Sequence, residues 1–262
     1  MSTEQGVRLE VDGALSVVTI DRPDARNAIA RATMAELAEA LDEVERSDAS
    51  LLVVTGGGTR VFVAGGDLKE LAAIRTLDEA SEMARTMRGV LDRLSDLAIP
   101  VLAAINGDAY GGGAEVAVAC DMRVAADDVR CAFNQVALGI MPAWGGIERV
   151  TALLGPARAL KLMSTGAVLS AREAFEQGLF DEVIERDAFE ERWRELAAQI
   201  ARAPRPALVG IKAAQRASLP LVRPELAEAA IASFAATWVD DDHWRMADEA
   251  DQRRREASKK RS

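Results

Sequence analysis

Apolar and polar residues first alternate at the period of a strand and then at that of a helix. Val7-Arg8-Leu9-Glu10-Val11 and the run from Leu15 to Ile20 read as two short strands joined at Asp12-Gly13. From Arg31 to Val44 the apolar positions Met34, Leu37, Ala38, Leu41 and Val44 recur every three or four residues, which predicts an amphipathic helix. Leu51-Leu52-Val53-Val54 is a buried strand that runs into Gly56-Gly57-Gly58-Thr59. Val61-Phe62-Val63 precedes Gly65-Gly66, and Asp67 stands where a helix N-cap belongs. A helix carrying Met83, Met87, Val90, Leu91 and Leu94 ends before Pro100. A second buried strand, 100–105, leads to Asn106-Gly107 and Gly111-Gly112-Gly113, and then to an apolar helix over 114–119. A further strand begins at Asp121.

Strand, glycine loop and helix thus occur twice in succession, with Gly66 and Gly112 in comparable places, and this alternation predicts an α/β core. Beyond about Asp187 only helical patterning remains, over 189–201, 207–217, 224–238 and a charged terminal helix. Pro204, Pro206, Pro220 and Pro224 fall at helix starts and connections. These features predict a core over residues 1–203 and a helical C-terminal region over 204–262.

Composition narrows the chemistry. The chain has 262 residues, 49% hydrophobic and 28% charged, as in a globular protein, and a formal charge of −10. No apolar run is long enough for a bilayer crossing and the N-terminus does not read as a secretory signal, so a cytoplasmic location is expected. The one dense basic stretch, Arg253-Arg254-Arg255 with Lys259-Lys260-Arg261, reads as a solvated helix end, and no nucleic-acid or membrane partner is expected. An anionic ligand would need a local basic pocket. The two cysteines, Cys120 and Cys131, have no CxxC spacing, and the single histidine, His243, lies in a charged C-terminal segment. A metal site, a Ser-His-Asp triad and a Cys-His pair are therefore not expected. Carboxylates, amides and backbone donors must carry any reaction.

Glycines between a strand end and a helix start leave backbone amides that no intrahelical carbonyl has claimed, which suits a phosphate or a developing oxyanion. Tight turns use glycine for purely structural reasons too, and spacing alone leaves both readings open. Glu115 sits directly after the second glycine run, within Ala114-Glu115-Val116-Ala117-Val118-Ala119. It is either an acid well placed for the helix dipole or a buried catalytic carboxylate.

At this point the residues resemble a family. Phe62-Val63-Ala64-Gly65-Gly66-Asp67-Leu68-Lys69-Glu70 is similar to one signature of the enoyl-CoA hydratase/isomerase (crotonase) superfamily. Asn106-Gly107-Asp108-Ala109-Tyr110-Gly111-Gly112-Gly113-Ala114-Glu115 is similar to the other. Weaker matches are Asp21-Arg22-Pro23 through Asn27-Ala28, Cys120-Asp121-Met122-Arg123, and Leu138-Gly139-Ile140-Met141-Pro142 through Gly145-Gly146. The resemblance implies a spiral of ββα units, a C-terminal helical region that builds a homotrimer or homohexamer, and an acyl-CoA thioester whose carbonyl lies between the amides of Gly66 and Gly112. It implies CoA contacts at Arg26, Ala64, Asp67 and Lys69, and no cofactor beyond the CoA moiety itself.

A hydratase of this family uses two glutamates. The first falls on Glu115. The second falls on Gln135 in a gapless alignment, with Cys131 and Asn134 at the family's phenylalanine and proline positions. Gln135 can hold a water but cannot exchange a proton as a carboxyl does. Hydration of an enoyl-CoA is the first reading. Decarboxylation, thioester hydrolysis or isomerisation within the family, and acyl-CoA binding with little turnover, are the alternatives. Asp127, Asp128 and Glu148 read as solvent-facing, and Tyr110 as packing. Trp144, where the family has a small residue, reads as core or as a residue that reshapes the acyl pocket.

Overall fold

The computed structural model describes residues 6–217 and 224–259, so the expectations placed on Pro220, Lys260 and Arg261 lie outside it. The chain opens with a hairpin of β1 (Val7–Asp12) and β2 (Leu15–Ile20), turned at Gly13, whose φ of +56° suits glycine. Helix α1 (Arg31–Arg46) buries Met34, Leu37, Leu41 and Val44, the stripe its period predicts.

Three units then repeat one plan. In the first, β3 (Leu51–Gly56) is followed by β4 (Val61–Val63), the short helix α2 (Leu68–Leu71) and α3 (Leu77–Asp96). In the second, β5 (Val101–Ile105) is followed by β6 (Asp108–Tyr110) and α4 (Gly112–Ala119). In the third, β7 (Met122–Ala126) is followed by β8 (Arg130–Ala132) and, after a 3-10 turn at Gln135–Leu138, by α5 (Gly146–Leu154). Each unit gives its first strand to one sheet and its second strand to another. After α6 (Pro156–Thr165), β9 (Leu169–Ser170) and α7 (Ala171–Glu176), the strand β10 (Glu182–Ile184) returns to the first sheet.

That sheet has the order β1-β2-β3-β5-β7-β10, parallel except for the hairpin. The smaller sheet has the order β4-β6-β8-β9, parallel except at β9. Parallel strands covered on both faces should be apolar throughout, and β5 is buried at every residue. The expected spiral of ββα units is therefore present. Its second strands are only three residues long, and β8, β9 and β10 are not marked by any periodicity in the sequence.

Four helices complete the chain: α8 (Arg186–Ala201), α9 (Arg205–Ala217), α10 (Pro224–Trp238) and α11 (Asp241–Lys259). Helix α8 buries Phe189, Trp193 and Ala197 and packs against the large sheet. Helix α9 is pinned by Lys212, whose buried ammonium donates to the Ile99 carbonyl (2.9 Å) and pairs with Asp121 (2.6 Å). Helix α10 packs along α3 and buries Ile231, Phe234 and Trp238 within its own chain. Elsewhere on these helices Ile211 is 66% exposed and Leu208 half-buried, while the side chain of Leu226 lies outside the described residues. Among the described residues no helix is long and apolar enough to cross a membrane.

His243 does not sit among solvated charges as its segment suggested. It is fully buried, its Nδ1 lies 2.6 Å from the Leu138 carbonyl, and it packs against Trp238 and Trp244. Burial holds its imidazole below the usual histidine range. The same corner reaches α2's end: Trp238 Nε1 donates to the Ile74 carbonyl (3.3 Å), and the Arg75 guanidinium covers the Trp244 ring at 3.6 Å.

Candidate active site

The two glycine loops meet. A parallel bridge joins Gly66 to Ile29: Ile29 N donates to Gly65 O (2.8 Å) and Asp67 N donates to Ile29 O (2.9 Å). In such a bridge the central residue's own N–H points to the opposite side. Gly112 is the first residue of α4, so its N–H has no intrahelical acceptor. A Cβ placed on Gly65 would lie 3.1 Å from Gly112 N, which puts the two loops in contact. Glycine is required at the second loop by packing alone. A Cβ on Gly113 would fall 1.8 Å from the Val63 carbonyl oxygen, and one on Gly112 would fall 2.0 Å from Cζ3 of Trp144.

One turn into α4, Glu115 is 2% exposed. Its Oε1 accepts from the amides of Trp144 (2.8 Å) and Gly146 (2.9 Å), and its Oε2 accepts from Gln135 Nε2 (3.0 Å). Burial pushes its carboxyl up to about 7, against the opposing pull of the Gly146 and Trp144 amides, the Arg149 charge and Gln135. Three neutral donors fix the carboxylate without neutralising it. Gln135 is buried as well, and its Oε1 has no hydrogen-bond partner. An acceptor left open beside a carboxylate of near-neutral pKa is the setting expected of a group that handles protons.

The loop that holds Glu115 is itself braced. Arg149 Nη1 donates to the Trp144 carbonyl (3.0 Å), and its Nη2 donates to Asp92 (2.6 Å) and to Leu91 O (3.3 Å) on α3. Glu148 faces the protein and not solvent: its side chain is 17% exposed and lies 2.9 Å from the buried Arg88. This is an ion contact without hydrogen-bond alignment, since the atoms involved have no hydrogen-bond partner. Asp127 and Asp128 are exposed.

Beside the loops lies a cavity of about 620 Å³, whose wall includes Ala64, Gly107 and Tyr110 at the ends of β4 and β6. Arg26, Arg60, Arg130 and Arg186 also line it, with Asp108 and Asp128. This is the local basic pocket that an anionic ligand would need in an acidic protein. Of the residues given CoA roles by resemblance, Arg26 and Ala64 line it, whereas Asp67 and Lys69 are not in its lining. Lys69 is exposed. Asp67 does precede α2 but does not cap it with its side chain; the carboxylate pairs with Arg22 at 3.0 Å. Tyr110 is a cavity wall, its hydroxyl donating to Asp108 (3.1 Å), and burial with the Asp108 charge pushes the phenol up to about 12. Arg60, Arg130 and Arg186 were not singled out in the sequence, since isolated surface arginines carry no motif. Cys120 and Cys131 are buried, free and pushed up to about 12 by burial. Among the described residues no His/Cys/Asp/Glu group is placed to hold a metal.

Residues 10–255 match the family model described as enoyl-CoA hydratase/isomerase. The chain belongs to that family. Among its relatives is the short-chain-enoyl-CoA hydratase of Clostridium acetobutylicum, 37% identical over 195 residues, or 74% of each protein. The crotonyl-CoA hydratase of Syntrophomonas wolfei is 36% identical over 197 residues, or 75% of each. A crystal structure of an enoyl-CoA hydratase from Bacillus anthracis superposes with a TM-score of 0.78 at 29% identity, covering 89% of this chain and 90% of that one. In this chain Glu115 is surrounded by the amide side chain of Gln135 and the loop of Trp144, whose indole lies against Gly112.

Proposed function

We propose that this protein reversibly hydrates a 2-enoyl-CoA, with Glu115 as the proton-transferring carboxyl and the amides of Gly66 and Gly112 as the oxyanion donors. The observation that carries the reading is Glu115 itself: buried, fixed by three donors, with a carboxyl near 7 and the open Oε1 of Gln135 beside it. The thioester carbonyl would sit between the two glycine amides, which draw electron density from the conjugated double bond. A water held by Glu115 and Gln135 adds its oxygen at Cβ and passes its proton to Glu115. The π electrons move to the carbonyl oxygen as an enolate, and its collapse takes the proton from Glu115 to Cα. One carboxyl can act as base and then as acid, so water is added without a second acid. The family description and the hydratase names of two relatives support the same reading.

The CoA moiety would lie in the basic cavity against Arg26 and Ala64, with Asp67 and Lys69 as proposed contacts outside its lining, and no further cofactor is required. A cytoplasmic homotrimer or homohexamer is the proposed state, with exposed Ile211 supporting a covered surface there. Gln135 favours a second reading, a family reaction that needs one carboxylate only. Both readings are separated by following crotonyl-CoA and a panel of acyl-CoA thioesters by mass spectrometry. Hydration should be present in the wild type, fall by ~10²–10⁴ in Glu115→Gln, and rise by about 10² in Gln135→Glu. Robust hydration that survives Glu115→Gln would remove Glu115 from the mechanism. A product other than the hydrate would select the second reading.

A further inference from the structure

We propose that Trp144 limits the acyl group to a short chain by filling the space over the glycine cradle with its indole. This rests on the hydratase reading for the identity of the substrate, but the geometry is independent of it. A Cβ on Gly112 would meet Cζ3, Cε3 and Cη2 of Trp144 at 2.0, 2.6 and 2.6 Å, so the six-membered ring lies directly against that α-carbon. A Cβ on Gly66 would have Cη2 and Cζ2 of the same ring at 3.8 Å. The indole therefore spans both residues whose amides would bind the thioester oxygen, and it is 6% exposed.

The ring is not free to swing aside. The Trp144 amide is bonded to Glu115 Oε1, its carbonyl to Arg149, and Arg149 in turn to Asp92 and Leu91 on α3. Gly146 ties the next turn of the loop to the same carboxylate. Moving the backbone would release Glu115, and rotating the side chain would drive a bulky ring into a close-packed core. One residue thus joins two tasks: its amide orients the carboxyl, and its indole bounds the volume beside it. With the ring against both glycines, a short acyl group is the one admitted, whereas a longer chain must displace the indole.

The test compares kcat/KM for four-, eight- and twelve-carbon 2-enoyl-CoAs in the wild type, Trp144→Phe and Trp144→Ala. A misfit of one methylene in a pocket is worth roughly 10–200-fold, so the wild type should prefer four carbons over eight by at least about 10². Trp144→Ala should shrink that ratio at least about tenfold by gaining on the longer chain, with Trp144→Phe between them. A purely structural role would lower all substrates together and leave the ratio unmoved. Calorimetric binding of saturated butyryl-CoA and dodecanoyl-CoA reads the same limit without turnover, so it survives failure of the hydratase reading. If the alanine variant does not fold, the phenylalanine variant carries the comparison. An unchanged chain-length ratio in a variant with native circular dichroism, or equal wild-type affinity for the two saturated thioesters, overturns the proposal.

Discussion

At the start of α4 and again at the start of α5, a glycine of positive φ precedes a helix whose first turn carries one glutamate. Gly111 (+55°) leads to Glu115, and Gly145 (+92°) leads to Glu148. Both side chains turn inward, yet their partners differ. Glu115 is held by two backbone amides and a side-chain amide, all neutral. Glu148 lies against the guanidinium of Arg88, itself 6% exposed. Burial holds the Glu115 carboxyl near 7 against the pull of its donors, whereas Glu148 faces a full countercharge. The same local construction thus yields a proton-handling group in one place and a structural ion pair in the next.

The contrast is most sharply tested by activity. Glu115→Gln should cost ~10²–10⁴ in hydration, whereas Glu148→Gln should leave kcat within about threefold, because only the first removes an acid from the reaction. Equal losses in two folded variants would erase the distinction. Stability should respond the other way round. Glu148→Gln leaves the buried Arg88 with Asp92 (3.4 Å) as its remaining salt-bridge partner among the described residues, and should lower unfolding free energy by about 3 kcal/mol in denaturant titrations. A smaller, pH-dependent effect belongs to Glu115. Its folded carboxyl, near 7, lies above the ordinary 4.5, so the folded state binds the proton more tightly. Its contribution to stability is complete below pH 4.5 and lost as pH rises through 7. Glu115→Gln should therefore gain stability relative to wild type between pH 4.5 and pH 8, by on the order of 3 kcal/mol at most. Melting curves at the two pH values measure this, and parallel shifts at both would show that Glu115 is not protonated on folding.

How much of this was legible in the sequence follows from the range of the contacts. The long strands β2, β3 and β5 and the helices α1 and α3 announce themselves by local pattern, and the paired glycine loops by resemblance. The burial of Glu115 was foreshadowed by its apolar neighbours. Strands β8 and β9, with three and two residues, are too short to display an alternation. Glu148 was misread as solvent-facing because its partner, Arg88, is on another helix, and no local signal reports that distance. In the sequence Trp144 reads as core or as a residue that reshapes the acyl pocket. That its ring lies over Gly112 is a property of the folded loop. His243 was likewise placed by the charges beside it, while its surroundings are set by Trp238, Trp244 and the Leu138 carbonyl.

That last corner has a consequence for how the molecule is made. Trp238 holds the Ile74 carbonyl, beyond the first glycine loop, and His243 holds the Leu138 carbonyl, at the end of the Gln135 turn. Both braces are synthesised after the strands and glycine loops they hold. A nascent chain can lay down the large sheet, strand by parallel strand, well before either brace exists. These contacts are thus fixed only once α10 and α11 exist, so a polypeptide interrupted before them would carry the carboxylate and both glycine loops without these two braces.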